Sequence, residues 1–423
     1  MQNALHHMPI TGSGIYEYAF IPVPQSHRKK SSGVFFVLTG YTSALSCLVL
    51  GARLGASMPF WQAIGSCFFG DLVLILMGTG MGILSSRTGW STTFLARKVL
   101  GKNSSMIFSL FIICCSVFWI GLNGKMFSNI WISVFPNWPL PVAVTSLIII
   151  GIWALSAANG WHGLEIASRI VVPCSLILLG ITMFLLAKKM GTISFLFADT
   201  TNQPMSFAVA SAAVIGNYVF GCMITPDTCR FATSDRSVIS VCPFAYGIGL
   251  FLFNICGVIV AKAGGFSDFI RSISVIGLAV PMLLCSIFCL STTQNINAYG
   301  GSLALQNIFQ GTKLEGNISH KVTVYLIAGF ASALSVSGIT NYLIPIVSLF
   351  SIVMVPFPGM LLAEGFFFHD NTKEHCFQQH SIAIWLTSCT AGFLFLRVGL
   401  PIAPLWEMIF SGVCYVIVNK YSS

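Results

Sequence analysis

The chain has 423 residues, of which 55% are hydrophobic and only 8% are charged, and its mean hydropathy is +0.84. A water-soluble domain cannot bury so much apolar surface, so this composition excludes a soluble protein and predicts one embedded in a lipid bilayer. The formal net charge of +9 does not indicate nucleic-acid binding, because the basic residues are scattered between apolar segments rather than clustered on one polar face.

Twelve apolar segments follow one another along the chain, and we interpret each as a transmembrane span. They are predicted to be helical, because a helix satisfies its own backbone groups in lipid and no segment alternates polar and apolar residues as a membrane β-strand does. The predicted spans cover residues 33–51, 60–86, 105–135, 140–158, 164–187, 207–225, 238–261, 275–299, 322–337, 342–368, 382–396 and 401–419. The expected fold class is an all-α integral membrane protein with twelve transmembrane helices.

The distribution of lysine and arginine predicts the orientation of these spans. If the N-terminus lies in the cytoplasm, that side of the membrane holds about twice as many of the 21 basic residues as the opposite side. The main exception is the pair Lys188 and Lys189, which falls on the outer side. We therefore expect both termini to be cytoplasmic.

The order of the spans is compatible with an inverted repeat. After a cytoplasmic tail of residues 1–31, five spans in residues 32–189 would correspond to five spans in residues 206–368, with two further spans in residues 381–419. Glycines and small polar residues interrupt the first span at residues 40–46 and the sixth at 216–221. The alternative is that these residues only allow close helix packing, but interruptions at corresponding positions of two halves favour a binding site near the middle of the membrane.

Polar side chains inside apolar spans are costly in lipid and therefore mark candidate binding residues. In the third span, Ser116, Trp119 and Asn123 follow at spacings of three and four residues, which place them on one helical face. Asn217 and Tyr218 lie in the sixth span. Two aromatic rings can sandwich a flat heterocycle, and amides supply the donor and acceptor that a nucleobase edge requires. For Trp119 alone, packing against lipid or the protein interior is the alternative.

The eighth span contains the densest polar run inside any apolar segment. Its members are Ser291, Thr292, Thr293, Gln294, Asn295 and Asn297. The amides of Gln294 and Asn295 are candidates for substrate contacts. The two threonine hydroxyls are candidates for ligand contacts, with hydrogen bonds back to the preceding helical turn as the structural alternative.

Asp71 places a carboxylate near the middle of the second span. A carboxylate at this depth indicates proton-linked or ion-linked transport, and the alternative is a structural pairing with a neighbouring polar group. The chain contains no phosphate-binding glycine loop, no HExxH pair and no other catalytic combination. We therefore expect that the protein is not an enzyme and uses no cofactor or metal other than a coupling ion.

Several motifs, in order along the chain, resemble the nucleobase:cation symporter family and in particular its cytosine permease branch. They are PVPQSHRKK at residues 22–30, TGWSTTFLAR at 88–97, Trp119-Ile-Gly in the third span, TPDTCRF at 225–231 and TTQNINAYGGSLALQNI at 292–308. The resemblance extends over roughly residues 20–420.

The resemblance implies a twelve-helix transporter with the five-plus-five inverted repeat of the leucine transporter, working by alternating access in the inner membrane of a bacterium. It implies that the substrate base stacks between Trp119 and Tyr218, with polar contacts from Ser116, Asn123, Asn217, Gln294 and Asn295. It also implies a sodium site formed by carbonyl oxygens of Gly40, Ser43 and Cys289 and by the hydroxyls of Thr292 and Thr293. Five oxygen ligands suit a small, hard cation.

The chain departs from the pattern of cytosine permeases at several of these positions. Ser116 stands where a glutamine is expected, Ala44 and Leu45 replace a Phe-Ser pair, Gln294 replaces an asparagine, and Asp71 replaces another asparagine. These departures affect the expected cargo more than the expected fold.

We therefore expect a secondary active importer of cytosine or a related nucleobase, coupled to Na⁺ or H⁺. The close alternative keeps the fold but changes the cargo to a hydantoin, allantoin or a thiamine-precursor pyrimidine. An ion channel or membrane receptor, the alternative from another class, would need a continuous polar pore or a large soluble sensor domain, and neither is visible in the sequence. The expected partners are the nucleobase, the coupling cation and the lipid bilayer, without nucleic acid, and a monomer is compatible with the sequence.

Overall fold

The computed structural model describes residues 17–19, 21–101, 103–198, 204–310, 312–315, 317–337, 343–368 and 379–422. The first half of this part contains helices α1 (Ser31–Thr42), α2 (Leu45–Ser57), α3 (Phe60–Thr88), α4 (Thr92–Leu100), α5 (Ser104–Val134), α6 (Val142–Ala157) and α7 (Gly160–Met190). The second half contains α8 (Phe207–Met223), α9 (Thr225–Cys229), α10 (Asp235–Tyr246), α11 (Leu252–Gly264), α12 (Phe269–Ile276), α13 (Ala279–Phe309), α14 (His320–Val336), α15 (Leu343–Val353), α16 (Pro356–Phe367), α17 (Gln379–Arg397) and α18 (Ala403–Ser422).

Each predicted span coincides with one of these helices or with a short series of them. Among the described residues, seven helical segments are long and apolar enough to cross a membrane, and α1 with α2 forms an eighth candidate, bent by 47°. Two shorter apolar helices, α6 and α14, lie at the fourth and ninth predicted spans. Tyr342, where the tenth predicted span begins, is outside the described residues. A multi-pass, all-helical architecture is thus confirmed.

The predicted interruption of the first span is confirmed. Helix α1 ends at Thr42, and α2 begins at Leu45. Ser43 and Ala44 between them leave the helical conformation, with ψ angles of 70° and 133°. The carbonyl groups at the end of α1 therefore lack partners in their own helix and are free to bind other groups.

The predicted interruption of the sixth span at residues 216–221 is wrong, because α8 continues through both glycines. A side chain at Gly221 would lie under 3.0 Å from the Tyr218 ring, so this glycine makes room for the ring and does not break the helix. The irregularity lies further on, at Ile224 between α8 and α9. Pro226 stands at the start of α9. Because proline has no backbone N–H to donate, it explains why the regular helix is interrupted at Ile224.

The eighth span also differs from its predicted bounds of 275–299. The chain first forms α12, which is followed by Gly277 with a φ of +78°. Helix α13 then runs from Ala279 to Phe309. The polar residues beyond Tyr299, such as Gln306 and Asn307, are buried within the protein. The helix extends further than its apolar run because neighbouring helices, not lipid, surround its second half.

Glycines bring α2 and α11 into close contact. A side-chain carbon at Gly257 would lie under 3.0 Å from the carbonyl oxygen of Leu48, and one at Gly51 would meet the carbonyl oxygen of Asn254 as closely. Small residues are the usual means by which membrane helices approach one another, since close packing replaces the hydrophobic effect in lipid. This contact holds α2, the second half of the broken span, in place.

We predict that Gly257→Val separates α2 from α11 and destabilises the protein by roughly 1–3 kcal/mol, the usual range for overpacking. The thermal unfolding temperature of the purified protein in detergent should fall by several degrees. Gly180→Val is the matched control, because a side-chain carbon at Gly180 would meet no atom within 4 Å. Equal unfolding temperatures for the two variants would contradict the close contact.

Candidate substrate and cation site

Trp119 of α5 and Tyr218 of α8, which the sequence analysis expects on either side of a flat ligand, line the same cavity. The cavity has a volume of about 20 Å³, about the space of one water molecule, and lies beside the interruption between α1 and α2. Both aromatic side chains are 5% exposed. The lining residues are Tyr41, Ala44, Ser46, Trp119, Asn123, Asn217, Tyr218, Phe220, Gly221, Thr293 and Asn297.

Asn123 lines this cavity, and one atom of its amide has no partner in the described part of the chain. Its side-chain Nδ2 donates to the carbonyl oxygen of Trp119 at 2.8 Å. A carbonyl can only accept a hydrogen bond, so this contact fixes the orientation of the amide. The other amide atom, Oδ1, is buried and has no hydrogen-bond partner in the described part of the chain. Asn123 can therefore accept a hydrogen bond from an N–H group of a ligand.

Asn217 connects the cavity with the interrupted first span. Its Nδ2 lies 3.3 Å from Ser46 Oγ and 3.6 Å from Cys47 Sγ. Asn217, Ser46 and Trp119 also line a second, larger cavity of about 150 Å³, which extends past Arg53 of α2. The small cavity therefore adjoins the larger one on the side of the bundle where α2 ends and α8 begins.

Three residues predicted to bind substrate lie outside the described lining of the small cavity. Ser116 lies in the contact between α5 and α13, where a side-chain carbon at Gly301 would come within 2.9 Å of its hydroxyl. Asn295 points towards α6 and donates to Ser156 Oγ at 2.8 Å. Gln294 accepts a hydrogen bond from Asn297 Nδ2 at 3.2 Å, so it contacts a lining residue rather than the cavity itself.

Helical geometry explains which residues of α13 reach the cavity. Thr293 and Asn297 are four residues apart and share a face, whereas Gln294 and Asn295 are rotated away from it. The polar run of α13 was visible in the sequence, but the face that meets the cavity was not. Asn297, Tyr41 and Ser46 are lining residues that the sequence analysis did not select. The i, i+4 spacing from Thr293 was the available signal for Asn297.

The predicted threonines meet the interrupted first span directly. Thr292 Oγ1 donates to the carbonyl oxygen of Gly40 at 2.7 Å, and Thr293 Oγ1 lies 3.1 Å from the carbonyl oxygen of Tyr41. Both hydroxyls also lie close to the carbonyl oxygen of Cys289, at 3.2 and 2.9 Å. Three carbonyl and two hydroxyl oxygens thus form one cluster, which has the donor chemistry of a site for a small, hard cation.

Tyr41 occupies a central place in this cluster that the sequence analysis did not assign to it. Its carbonyl oxygen also accepts a hydrogen bond of 2.7 Å from the hydroxyl of Tyr218, which lines the small cavity. Ser43, the predicted ligand, follows two residues later, and its hydroxyl donates to the carbonyl oxygen of Thr39 at 2.7 Å. The carbonyl of Tyr41 therefore connects the oxygen cluster with the aromatic cavity.

Asp71 of α3 is 1% exposed and pairs with Asn254 of α11. Asn254 Nδ2 donates to Asp71 Oδ2 at 2.9 Å. Asp71 Oδ1 and Asn254 Oδ1 are buried and have no partner in the described part of the chain. Two buried acceptors without a donor are unfavourable, and a proton on the carboxyl group would supply the missing donor.

A family profile described as "Permease for cytosine/purines, uracil, thiamine, allantoin" matches residues 22–381. The chain belongs to this permease family. It is a membrane transporter and not an enzyme, and the resemblance to nucleobase:cation symporters seen in the sequence motifs is confirmed.

The relatives in sequence are bacterial. The cytosine permeases of Escherichia coli strain K12 and of Escherichia coli O157:H7 are each 26% identical to the chain over 402 residues, which cover 94% of this chain and 93% of the relative. This similarity spans nearly the whole of both proteins.

Solved structures show the same fold. Mhp1, described as a nucleobase-cation-symport-1 family transporter, superposes in a closed conformation with bromovinylhydantoin bound, with a TM-score of 0.81, 13% identity and coverage of 95% of this chain and 94% of Mhp1. Its inward-facing conformation gives a TM-score of 0.76 at 14% identity, covering 95% and 92%. A Na⁺-coupled sialic acid symporter in a substrate-bound outward-open state gives 0.67 at 13% identity, covering 99% and 92%.

Proposed function

We propose that the protein imports cytosine or a closely related nucleobase across the inner membrane of a bacterium, by alternating access and in symport with Na⁺. The observation that carries this proposal is the connection through Tyr41. One carbonyl group joins the cavity between Trp119 and Tyr218 to an oxygen cluster suited to a hard cation. A cation at the cluster and a flat ligand in the cavity would therefore each affect the binding of the other.

The cargo assignment rests on the cavity and on the relatives. The cavity contains two aromatic side chains for stacking and an amide oxygen, Asn123 Oδ1, that accepts from an N–H group. Cytosine offers an amino group and a ring N–H, and the relatives named above are cytosine permeases. Ala44 lines the cavity where the family pattern has a larger residue, which leaves room for a related base. A hydantoin, allantoin or thiamine-precursor pyrimidine is the alternative cargo.

We propose twelve transmembrane helices arranged as a five-plus-five inverted repeat. In such a repeat, α1 and α2 correspond to α8, α3 to α10 and α11, α5 to α13, α6 to α14, and α7 to α15 and α16. The contact of α2 with α11 then corresponds to that of α8 with α3. The contact of α1 with α7 corresponds to that of α8 with α15, and the contact of α6 with α13 to that of α14 with α5. All six contacts are present, and this correspondence supports the repeat.

We propose the orientation predicted from the basic residues, with both termini in the cytoplasm. In that orientation the larger cavity beside Arg53 and Met205 lies towards the outer face of the membrane. The larger cavity would then lead from the outer face towards the small cavity.

The test is uptake of radiolabelled cytosine by proteoliposomes under an imposed sodium gradient, with a matched proton gradient and unlabelled competitor bases in parallel. Sodium-driven accumulation of cytosine is expected. Accumulation driven only by protons would overturn the sodium assignment. Transport of a competitor without transport of cytosine would overturn the cargo assignment.

Trp119→Ala removes one stacking surface and should weaken binding of the base. Stacking of a base on an aromatic side chain contributes roughly 1–3 kcal/mol, which corresponds to a loss of affinity of about 5- to 150-fold. Scintillation proximity binding of labelled cytosine measures this change. Trp61→Ala, at a tryptophan that is 69% exposed, is the control and should bind as wild type. Unchanged affinity in Trp119→Ala would contradict the stacking role.

Thr293→Ala removes one oxygen from the proposed cation site. Because a contact with a charged group contributes roughly 1.5–3 kcal/mol, the sodium concentration for half-maximal uptake should rise by about tenfold or more. Uptake as a function of sodium concentration measures it, with the exposed Thr390→Ala as the control. An unaltered sodium response would argue against a cation at this cluster.

Asp71→Asn tests whether the buried acid is linked to protons. Asparagine keeps the shape of the side chain but cannot exchange a proton. If Asp71 gains or loses a proton during transport, the rate of uptake in Asp71→Asn should vary less with pH than in wild type. Uptake measured between pH 5 and pH 8.5 provides the comparison. Superimposable pH profiles would leave Asp71 with a structural role only.

A further inference from the structure

The described residues that precede α1, 17–19 and 21–30, lie across one end of the helix bundle and are named the N-terminal strap. The backbone N–H of Val23 donates to the carbonyl oxygen of Gly89 at the end of α3, at 3.0 Å. Further along, the N–H of Lys29 donates to the carbonyl oxygen of Phe231 at 2.6 Å. Arg28 donates to the carbonyl oxygens of Ser86 and Ala232. The strap therefore joins α3 of the first half to the segment after α9 of the second half.

Glu17 anchors the beginning of the strap. Its carboxylate accepts hydrogen bonds from the backbone N–H of Trp161 at 3.2 Å and from the hydroxyl of Tyr299 at 3.3 Å. Trp161 is in the first turn of α7, where the helix dipole favours a negative charge. A side-chain carbon at Gly160 would lie under 3.0 Å from the carboxylate, and this glycine has a φ of +60°. The absence of a side chain at Gly160 therefore allows the Glu17 carboxylate to approach the start of α7.

Arg230 holds the same part of the strap from the opposite half of the chain. Its side chain is 0% exposed. It donates to the carbonyl oxygens of Glu17 at 2.8 Å and Tyr18 at 3.1 Å, and to the hydroxyl of Tyr299 at 2.7 Å. A buried guanidinium group requires such partners. The strap therefore supplies two of the acceptors that this charge needs.

These anchors lie between the small cavity and the end of the bundle that the strap covers. Tyr299 follows two residues after Asn297, a lining residue of the cavity, on the same helix α13. Arg230 directly follows α9, which continues from the cavity helix α8. The larger cavity opens in the other direction, past Arg53. The strap and its anchors therefore lie on the side of the site opposite the larger cavity.

Beyond Ala19, which is buried, the strap is held mainly by hydrogen bonds. From residue 21 to residue 30, only Val23 is buried. Segments with few buried apolar contacts are the ones that open most easily. Burial also raises the pKa of Glu17 above its ordinary value of 4.5, against the lowering effects of the Trp161 N–H, Arg230, Tyr299 and Lys29. The ionised carboxylate therefore regains favourable hydration when the strap lifts away.

We propose that the N-terminal strap is a latch which closes this end of the transport path, that Glu17 is its anchor, and that the strap must detach for the ligand to leave on this side. This inference rests on the proposed transport function. Without the Glu17 contacts, the latched conformation loses stability relative to conformations that are open at this end.

Glu17→Ala in the full-length protein tests the latch by hydrogen–deuterium exchange. The amides of Val23 and Lys29 are protected only while the strap is in place, so exchange in the peptide covering the strap should become about tenfold faster or more. Gln25→Ala, at an exposed side chain within the strap, is the matched control and should exchange as wild type. Unchanged exchange in Glu17→Ala would overturn the role of Glu17 as anchor.

Ligand binding provides the second measurement. Removing the latch depopulates the conformation that is closed at this end. The apparent affinity for cytosine added to the purified protein should therefore fall in proportion to the population of that conformation. Faster strap exchange with the affinity and uptake rate of wild type would show that the strap is a passive cover, which overturns the proposal. The exchange measurement requires no substrate, so failure of the cargo assignment leaves it interpretable.

A second variant covers the case in which Glu17→Ala does not fold. Tyr299→Phe removes one hydroxyl, which donates to Glu17 and accepts from Arg230, and leaves the rest of α13 intact. Its strap should exchange faster than wild type, and by a smaller factor than in Glu17→Ala. Wild-type exchange in a folded Tyr299→Phe protein would contradict the latch.

Discussion

The structure of the site depends on the carbonyl groups at the end of α1 that have no hydrogen-bond partner within their own helix. In a membrane interior, a carbonyl group that has lost its helical partner must find another donor. The hydroxyls of Thr292 and Thr293 meet the carbonyls of Gly40 and Tyr41, and Tyr218 donates to the same carbonyl of Tyr41. Three side chains from two other helices thus stabilise the interruption. The same oxygens that satisfy the protein in this way are those that a cation would bind.

Under the proposed function, this constraint makes the coupling of cation and substrate binding a local property of the site. An ion that binds at the Tyr41 carbonyl would compete with or reorient the hydroxyl of Tyr218, whose ring lines the substrate cavity. Coupling of this kind requires no long pathway, because one backbone group belongs to both sites. Further along α13, Tyr299 contacts Arg230, which follows α9, and both residues contact the strap. Helix α13 therefore carries residues of the cation cluster, the cavity and the closed end of the bundle.

The sequence located the elements of the site better than it assigned the individual residues. Trp119, Tyr218, Asn123 and Asn217 were predicted, and all four line the cavity. Asn295 was predicted from the same polar run and instead contacts Ser156. The difference is a matter of helical rotation, since neighbouring residues on a helix point about 100° apart and the sequence does not state which direction faces the cavity. The glycines of α8 were misread for a similar reason, because packing against Tyr218 and breaking a helix require the same residue type.

The sequence by itself determined the class of protein. Its composition, apolar spans and ordered motifs established a helical membrane permease, because each of these features is written in consecutive residues and follows from the cost of exposing polar groups to lipid. Only the tertiary structure decided which oxygens meet at Tyr41, which acid pairs with Asn254 and where the strap lies. These contacts join residues far apart in the chain, such as Glu17 and Tyr299. They depend on the packing of whole helices, which local residue patterns do not specify.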